Sequence, residues 1–143
     1  MIELSKVDKR EVIIDNAVAV FAENGYYKAT TAMIAKAAEV TQPYVFHFFK
    51  NKEELFKAVL DRAFYRINDR FMKTEAPADQ LVEAMGHEFF EVIKHHRDEV
   101  LMVMQAYNIP EPFIREHVAE LYQVIFDSLV RKFDTVGIKN PEM

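Results

Sequence analysis

The sequence predicts an all-α fold, and three observations carry this prediction. Apolar residues recur at three- and four-residue spacing over long stretches, which is the pattern of helices that bury one face. The chain of 143 residues contains five prolines and three glycines, too few for a turn-rich β fold. Side chains that favour helix starts stand at Thr30, Thr41 and Asn51, each shortly before an apolar stretch.

The first helix is predicted over residues 6–24. Gly25 follows it, where a helix C-terminus favours a residue in the left-handed conformation. One face of this helix carries the apolar residues, which are Val12, Ile13, Ala17, Val20 and Phe21.

Two short helices joined by a tight turn come next. Thr30 caps the first of them, and the turn is expected at 38–40. Thr41 caps the second, predicted over 42–49, in which Pro43 is tolerated because first-turn residues need no N–H donor. This is the arrangement of a helix-turn-helix that reads DNA.

Four further helices are expected after the turn motif. Asn51 and Glu54 form a capping pair that opens a connector helix running from Lys52 towards Pro77. The others are predicted over 78–95 or 78–96, over 98–108 and over 110–136. Gly86 inside one of them suggests close helix packing or ligand approach.

The helix-turn-helix region contains the segments FAENGYYKATT and IAKAAEVTQPYVFHFFKNKEELF. These segments resemble the tetracycline-repressor (TetR) family of bacterial transcriptional regulators. The resemblance covers roughly residues 8–60. Its residues at the family's spacings are Phe21, Gly25, Thr30, Ile34, Ala35, Val40, Thr41, Phe49 and Lys52. It implies a three-helix DNA-binding head, here 1–50, and a helical ligand-binding and dimerisation body, here 51–143.

The family usually continues with two more helices that form the dimer interface, and neither is found in this sequence. We therefore expect a partial sequence that lacks those helices. The alternatives are an unusually short regulator and a dimer built from 110–136.

The net charge of −5 conceals an uneven distribution. Residues 1–52 carry seven basic and six acidic side chains, whereas residues 53–143 carry eleven and seventeen. Local charge matters more for DNA binding than the charge of the whole chain.

DNA contacts are expected from the second short helix and from the helix starts. Glutamine can bond an adenine edge and aromatic or apolar groups can touch a thymine methyl, while backbone N–H groups and lysines bind phosphates. The candidate base-reading residues are Gln42, Pro43, Tyr44 and His47. The candidate phosphate-binding residues are Thr30, Thr41, Lys50 and Lys52. For Tyr44 and His47, plain surface exposure is the alternative.

Two positions depart from the family's pattern. Glu39 stands where the turn usually has glycine, which costs about 1 kcal/mol if the backbone there is left-handed. Phe46 stands where the family usually has a phosphate-binding tyrosine, and we expect Phe46 to join the core.

Aromatic and methionine side chains dominate the body, and they suit either a helical core or a pocket for an apolar ligand. The family resemblance favours the pocket. Its candidate residues are Phe64, Tyr65, Met85, Phe89, Met102, Tyr107, Tyr122 and Phe126.

Other chemistry has little support. His87-Glu88 does not continue as a zinc-protease motif, because Glu91 takes the place of the second histidine. His95 and His96 are expected to interact with a helix dipole. We expect no metal and no cofactor, and no catalytic set of residues is visible.

The expected function is a ligand-responsive transcriptional repressor. A homodimer would bind a palindromic double-stranded DNA operator, and a small apolar effector would release it. The alternative is a helical protein-interaction module that keeps the head as a scaffold, and an enzyme is a distant third.

Overall fold

A computed structural model describes residues 6–138, and within this range it contains seven α-helices and no strand. All seven predicted helices are confirmed, with ends that differ from the predicted ones by a few residues. The helices are α1 (Lys6–Lys28), α2 (Thr31–Ala37), α3 (Gln42–Phe48), α4 (Lys52–Lys73), α5 (Leu81–His95), α6 (Arg97–Ala106) and α7 (Pro112–Thr135).

Gly25 interrupts α1 near its C-terminus. Its φ of 79° and ψ of 165° are not helical, so the predicted positive φ is confirmed, although a last turn follows the kink. Glycine is suited to this position because other residues rarely adopt such a conformation. The kink leaves Tyr26 buried in the core and Tyr27 exposed.

The described part of the predicted head, residues 6–50, is built around apolar side chains with no exposed surface. Ile13 and Phe21 of α1, Ile34 of α2 and Val45 of α3 are all fully buried. The ring of Phe21 packs edge-on against Phe56 of α4, with 5.0 Å between ring centroids. Burial of a side chain of this size contributes about 1.5–3 kcal/mol, so these few residues hold the three head helices together.

The connector α4 lies at the centre of the molecule and contacts α1, α5, α6 and α7. One buried cluster of apolar residues extends from the head across α4 to Met102 and Ala106 of α6 and to Ile114 of α7. The division predicted at residue 50 therefore lies within a continuous core. The described part of the predicted body, residues 51–138, packs directly on the head.

Gly86 lies on an exposed part of α5. A Cβ atom added there would meet no heavy atom within 4 Å. The expectation of close helix packing at this glycine is thus wrong within the described residues. None of the helices in residues 6–138 combines the length and the apolar character needed to cross a membrane.

Candidate nucleic-acid interface

Side chains cap the three helices that begin around the turn motif. The Oγ1 of Thr30 accepts a hydrogen bond from Met33 N at 3.1 Å. The Oγ1 of Thr41 accepts one from Tyr44 N at 3.2 Å, and Asn51 Oδ1 accepts one from Glu54 N at 2.9 Å. The three predicted caps are confirmed. Each fixes where a helix begins, and therefore where its free backbone N–H groups and positive dipole end lie.

The second short helix, α3, presents two different sides. Val45 is fully buried, and Tyr44 and Phe48 are half-buried against the rest of the head. The opposite side is exposed, and we call it the reading face. It consists of Gln42, Pro43, Phe46 and His47.

The structure corrects the expectation for Phe46, whose side chain is 43% exposed and is not part of the core. The physical reason is helical geometry. Phe46 comes four residues after Gln42 and therefore lies on the same side of α3, whereas Val45 is turned towards the core. This spacing was visible in the sequence and could have identified Phe46 as a surface residue.

Tyr44 is held in place by its neighbours. Its ring lies edge-on to Phe48 with 5.2 Å between centroids, and it stacks with His47 at 6.3 Å. The ammonium of Lys9, on α1, is 5.7 Å from the centre of the same ring. These contacts fix the direction of the ring, and its base contact stays a prediction.

Gln42, the first residue of α3, is connected to the start of α2. Its amide Nε2 donates a hydrogen bond to Oγ1 of Thr31 over 2.9 Å. Gln42 is exposed, while Thr31 is half-buried.

Lys52 has a structural role that the sequence prediction missed. Its Nζ donates to the carbonyl oxygen of Tyr26 at 2.7 Å and to that of Tyr27 at 3.4 Å. It also lies 4.4 Å from the centre of the Tyr26 ring. Burial lowers the pKa of Lys52, against an opposite effect of Glu53. Lys52 thus ties the end of α1 to the start of α4, and its phosphate contact stays a prediction.

The turn between α2 and α3 contains a left-handed residue, so the condition on which the cost at Glu39 depended is met. Glu39 has a φ of 58°, and its N–H donates to the carbonyl of Lys36 at 3.2 Å. A residue with a Cβ in this conformation costs about 1 kcal/mol relative to the ordinary helical one.

A second candidate site lies in the body, beside α6 and α7. Tyr107 and Tyr122 line a groove of about 350 Å³, together with Arg115 and the small apolar residues Ala106, Val118 and Ala119. The ring of Tyr122 contacts that of Tyr107 at 5.3 Å and that of Phe64 at 5.7 Å.

The remaining candidate ligand residues are distributed differently. Met85 and Met102 are buried, whereas Phe89 is half-buried and packs near Phe71 with 6.2 Å between centroids. Tyr65 is 70% exposed and Phe126 is 41% exposed. Ring contacts therefore unite three of the eight candidates, and the ligand role of each stays a prediction.

Charged side chains link the head to the body at a place that sequence reasoning did not identify. Glu99 of α6, whose side chain is 6% exposed, pairs with Arg62 at 3.0 Å and Arg66 at 2.8 Å, both on α4. Arg62 also pairs with Glu11 and Asp15 of α1. We call these five residues the charged link. The four-residue spacing within each helix pair was the available signal.

The histidines of the body also have specific partners. His95 Nε2 lies 3.2 Å from Glu91 Oε2, and His96 Nε2 lies 3.2 Å from Arg66 Nη1. Burial and the charge of Arg66 lower the pKa of His96, with Glu99 acting in the opposite direction. Among residues 6–138, no group of three or more His, Asp or Glu side chains is placed to hold a metal ion.

Comparison with known proteins agrees with this architecture. Residues 13–59 match the family model described as "Bacterial regulatory proteins, tetR family". The IcaR negative transcriptional regulator of the biofilm operon icaADBC from Staphylococcus aureus strain Newman is 25% identical over 134 residues, covering 91% of this chain and 72% of that protein.

Solved structures show the same fold. Salmonella enterica GusR superposes with a TM-score of 0.78 at 24% identity, over 92% of this chain and 69% of its own. FadR from Bacillus subtilis, solved in complex with stearoyl-CoA, gives a TM-score of 0.73 at 25% identity, over 92% of this chain and 74% of its own. The capped helix-turn-helix within residues 13–59 thus matches the TetR family of bacterial transcriptional regulators, and the chain is similar in sequence to IcaR and in fold to GusR and FadR.

Proposed function

We propose that this protein is a transcriptional repressor that binds double-stranded DNA through the reading face of α3 and leaves it when a small apolar effector binds the body. The observation that carries the proposal is the reading face itself. Four neighbouring exposed side chains on a helix that begins at a capped N-terminus have the geometry that major-groove recognition requires.

The groups around the reading face support phosphate binding. The capped starts of α2, α3 and α4 lie close together along the chain, and the N–H groups that the caps leave without an acceptor can bind phosphates. Lys50 is exposed just after α3. Such contacts give affinity without sequence preference, whereas Gln42 and His47 offer hydrogen bonds to base edges.

The charged link and the continuous core supply a physical connection between effector and DNA. The groove at Tyr107 and Tyr122 is formed by α6 and α7, and α6 carries Glu99, which holds α4 through Arg62 and Arg66. An effector that favours one position of α6 would therefore also change the position of α4. It must bind the released state more tightly, because equal affinity for both states shifts nothing.

A homodimer is part of the proposal, since a palindromic operator requires two heads related by two-fold symmetry. Exposed apolar side chains on the body support an interface there. They are Val82 and Phe90 of α5 and Val124 and Phe126 of α7. The same residues would also suit a helical protein-interaction module, which is the alternative function. A measurement of DNA binding distinguishes the repressor from this module.

The test for DNA binding uses selection from a library of duplexes with a randomised centre, followed by mobility-shift titration at two salt concentrations. Gln42→Ala is expected to cost about 1–3 kcal/mol on the selected sequence, with little effect on unrelated duplexes. Lys50→Ala is expected to weaken binding to both and to reduce the salt slope by about one. A chain that selects no sequence and binds no duplex at low salt would contradict the proposal.

The test for the effector uses stearoyl-CoA as the first probe, because the similar FadR structure contains it. Binding is expected to raise the thermal midpoint and to release DNA. Tyr122→Ala should weaken both effects, whereas Phe113→Ala, on the same helix but outside the groove lining, should leave them unchanged. Equal responses of the two variants would show that the groove is not the effector site.

A further inference from the structure

We propose that Thr31 is a positioning residue that orients the amide of Gln42 so that it recognises adenine. The inference rests on the proposed DNA-binding function and extends it to the identity of one base. It starts from the hydrogen bond between Gln42 Nε2 and Thr31 Oγ1, 2.9 Å long, which joins the first residue of α3 to the first residue of α2.

The bond determines which hydrogen-bonding groups Gln42 has left. A glutamine side chain has two N–H donors and one carbonyl acceptor. Thr31 accepts one N–H, so one donor and the carbonyl oxygen remain. In the major groove an adenine presents the N7 acceptor and the N6 amino donor, which match these two groups.

The opposite orientation would predict a different base. If the hydroxyl of Thr31 instead donated to the carbonyl of Gln42, the amide would retain two N–H donors. Two donors match guanine, whose O6 and N7 are both acceptors. The direction of one hydrogen bond within the head therefore distinguishes between two purines.

Gln42 is important for hydrogen bonding to bases because the reading face has few polar groups. Pro43 and Phe46 offer no side-chain hydrogen bond, which leaves Gln42 and His47 as the hydrogen-bonding members of the face. Gln42 is exposed, and a free glutamine has several rotatable bonds whose ordering opposes binding. The bond to the half-buried Thr31 orders this side chain before DNA arrives.

The experiment compares the sequences that the whole chain and its variants select from a randomised duplex library. The wild type is expected to select an adenine at one position of each half-site, and Gln42→Ala should lose that preference. Thr31→Val, which keeps the shape but lacks the hydroxyl, should reduce the preference at the same position about three- to tenfold, the loss expected for one hydrogen bond. Thr31→Ser should retain it.

A merely structural role of Thr31 would change the thermal midpoint or the salt dependence of DNA binding in Thr31→Val. Under this proposal neither quantity should change. Thr31→Ala serves the same purpose if the valine variant folds poorly. A guanine at the Gln42-dependent position, an unchanged preference in both variants, or an equal loss of affinity for all sequences would overturn the inference while leaving the proposed function intact. A wild type that selects no sequence would overturn both.

Discussion

The head and the three helices that follow the connector are specified in different ways. Around the turn motif, α2, α3 and α4 each begin with a side-chain cap. In α5, α6 and α7 the corresponding residues, Gln80, His96 and Glu111, make no side-chain cap bond. Local sequence signals therefore position the helices around the turn motif, whereas packing against α4 and, for α6, also against α1 positions the later helices. Under the proposed function, the caps lie where the direction of the reading helix must be accurate.

The largest expected difference between the regions comes from their apolar side chains. Phe21→Ala, in the head core, should lower the free energy of unfolding by about 3–5 kcal/mol, because it leaves a cavity where the ring was fully buried. Met104→Ala removes a side chain that is 62% exposed on α6, and should change the free energy of unfolding by less than about 0.5 kcal/mol. Urea titration measures both. Equal losses in the two variants would contradict the expected difference between a buried and an exposed apolar side chain.

Variants of the charged link test whether ion pairs stabilise the contact between head and body in addition to apolar packing. Glu99→Gln should lower the free energy of unfolding by about 2–3 kcal/mol, since Arg62 and Arg66 lose the charge between them. Glu88→Gln is a matched control, because its ion pair with Arg70 is considerably more exposed. It should cost about 0–1 kcal/mol. Denaturant unfolding of the two variants should reveal the difference, and equal losses would argue against the link.

Helix caps provide another comparison between the head and the later helices, with a smaller expected change in the free energy of unfolding. Thr41→Ala should cost about 1 kcal/mol, because Tyr44 N loses its side-chain acceptor and keeps only the carbonyl of residue 41. Gln80→Ala, at the start of α5, removes no cap bond, and should change the free energy of unfolding by a few tenths of a kcal/mol at most. Thermal unfolding monitored by circular dichroism provides the comparison. Similar shifts in both variants would contradict the idea that caps matter chiefly in the head.

The smallest expected effect concerns His96, which adjoins the charged link. Its pKa is lowered in the folded chain by burial and by Arg66, with Glu99 opposing. The unfolded chain therefore takes up a proton first as pH falls, and folding loses stability from about pH 6.5 downwards until His96 is protonated in both states. His96→Gln should reduce this loss, whereas the exposed control His87→Gln should not. Thermal midpoints at several pH values would measure it.

The sequence predicted the features that depend on local signals better than those that depend on packing between distant helices. Local patterns identified every helix within the described residues and the three caps, because these depend on neighbours in the chain. Phe46 was misplaced although its four-residue spacing from Gln42 was a local signal for the exposed side of α3. The bond from Lys52 to the end of α1 and the ion pairs of Glu99 depend on the relative placement of distant helices. No local pattern determines that placement.

The attachment of Lys52 to the carbonyl groups of Tyr26 and Tyr27 has a mechanical consequence. It anchors the head to the first turn of α4, so that a tilt of α4 carries the head with it. A helix of 22 residues is about 33 Å long. A tilt of about 5° at the body end therefore moves the head end by about 3 Å, roughly one hydrogen-bond length. Under the proposed function, small adjustments around an effector would therefore become displacements large enough to misalign the reading face of α3 with base edges.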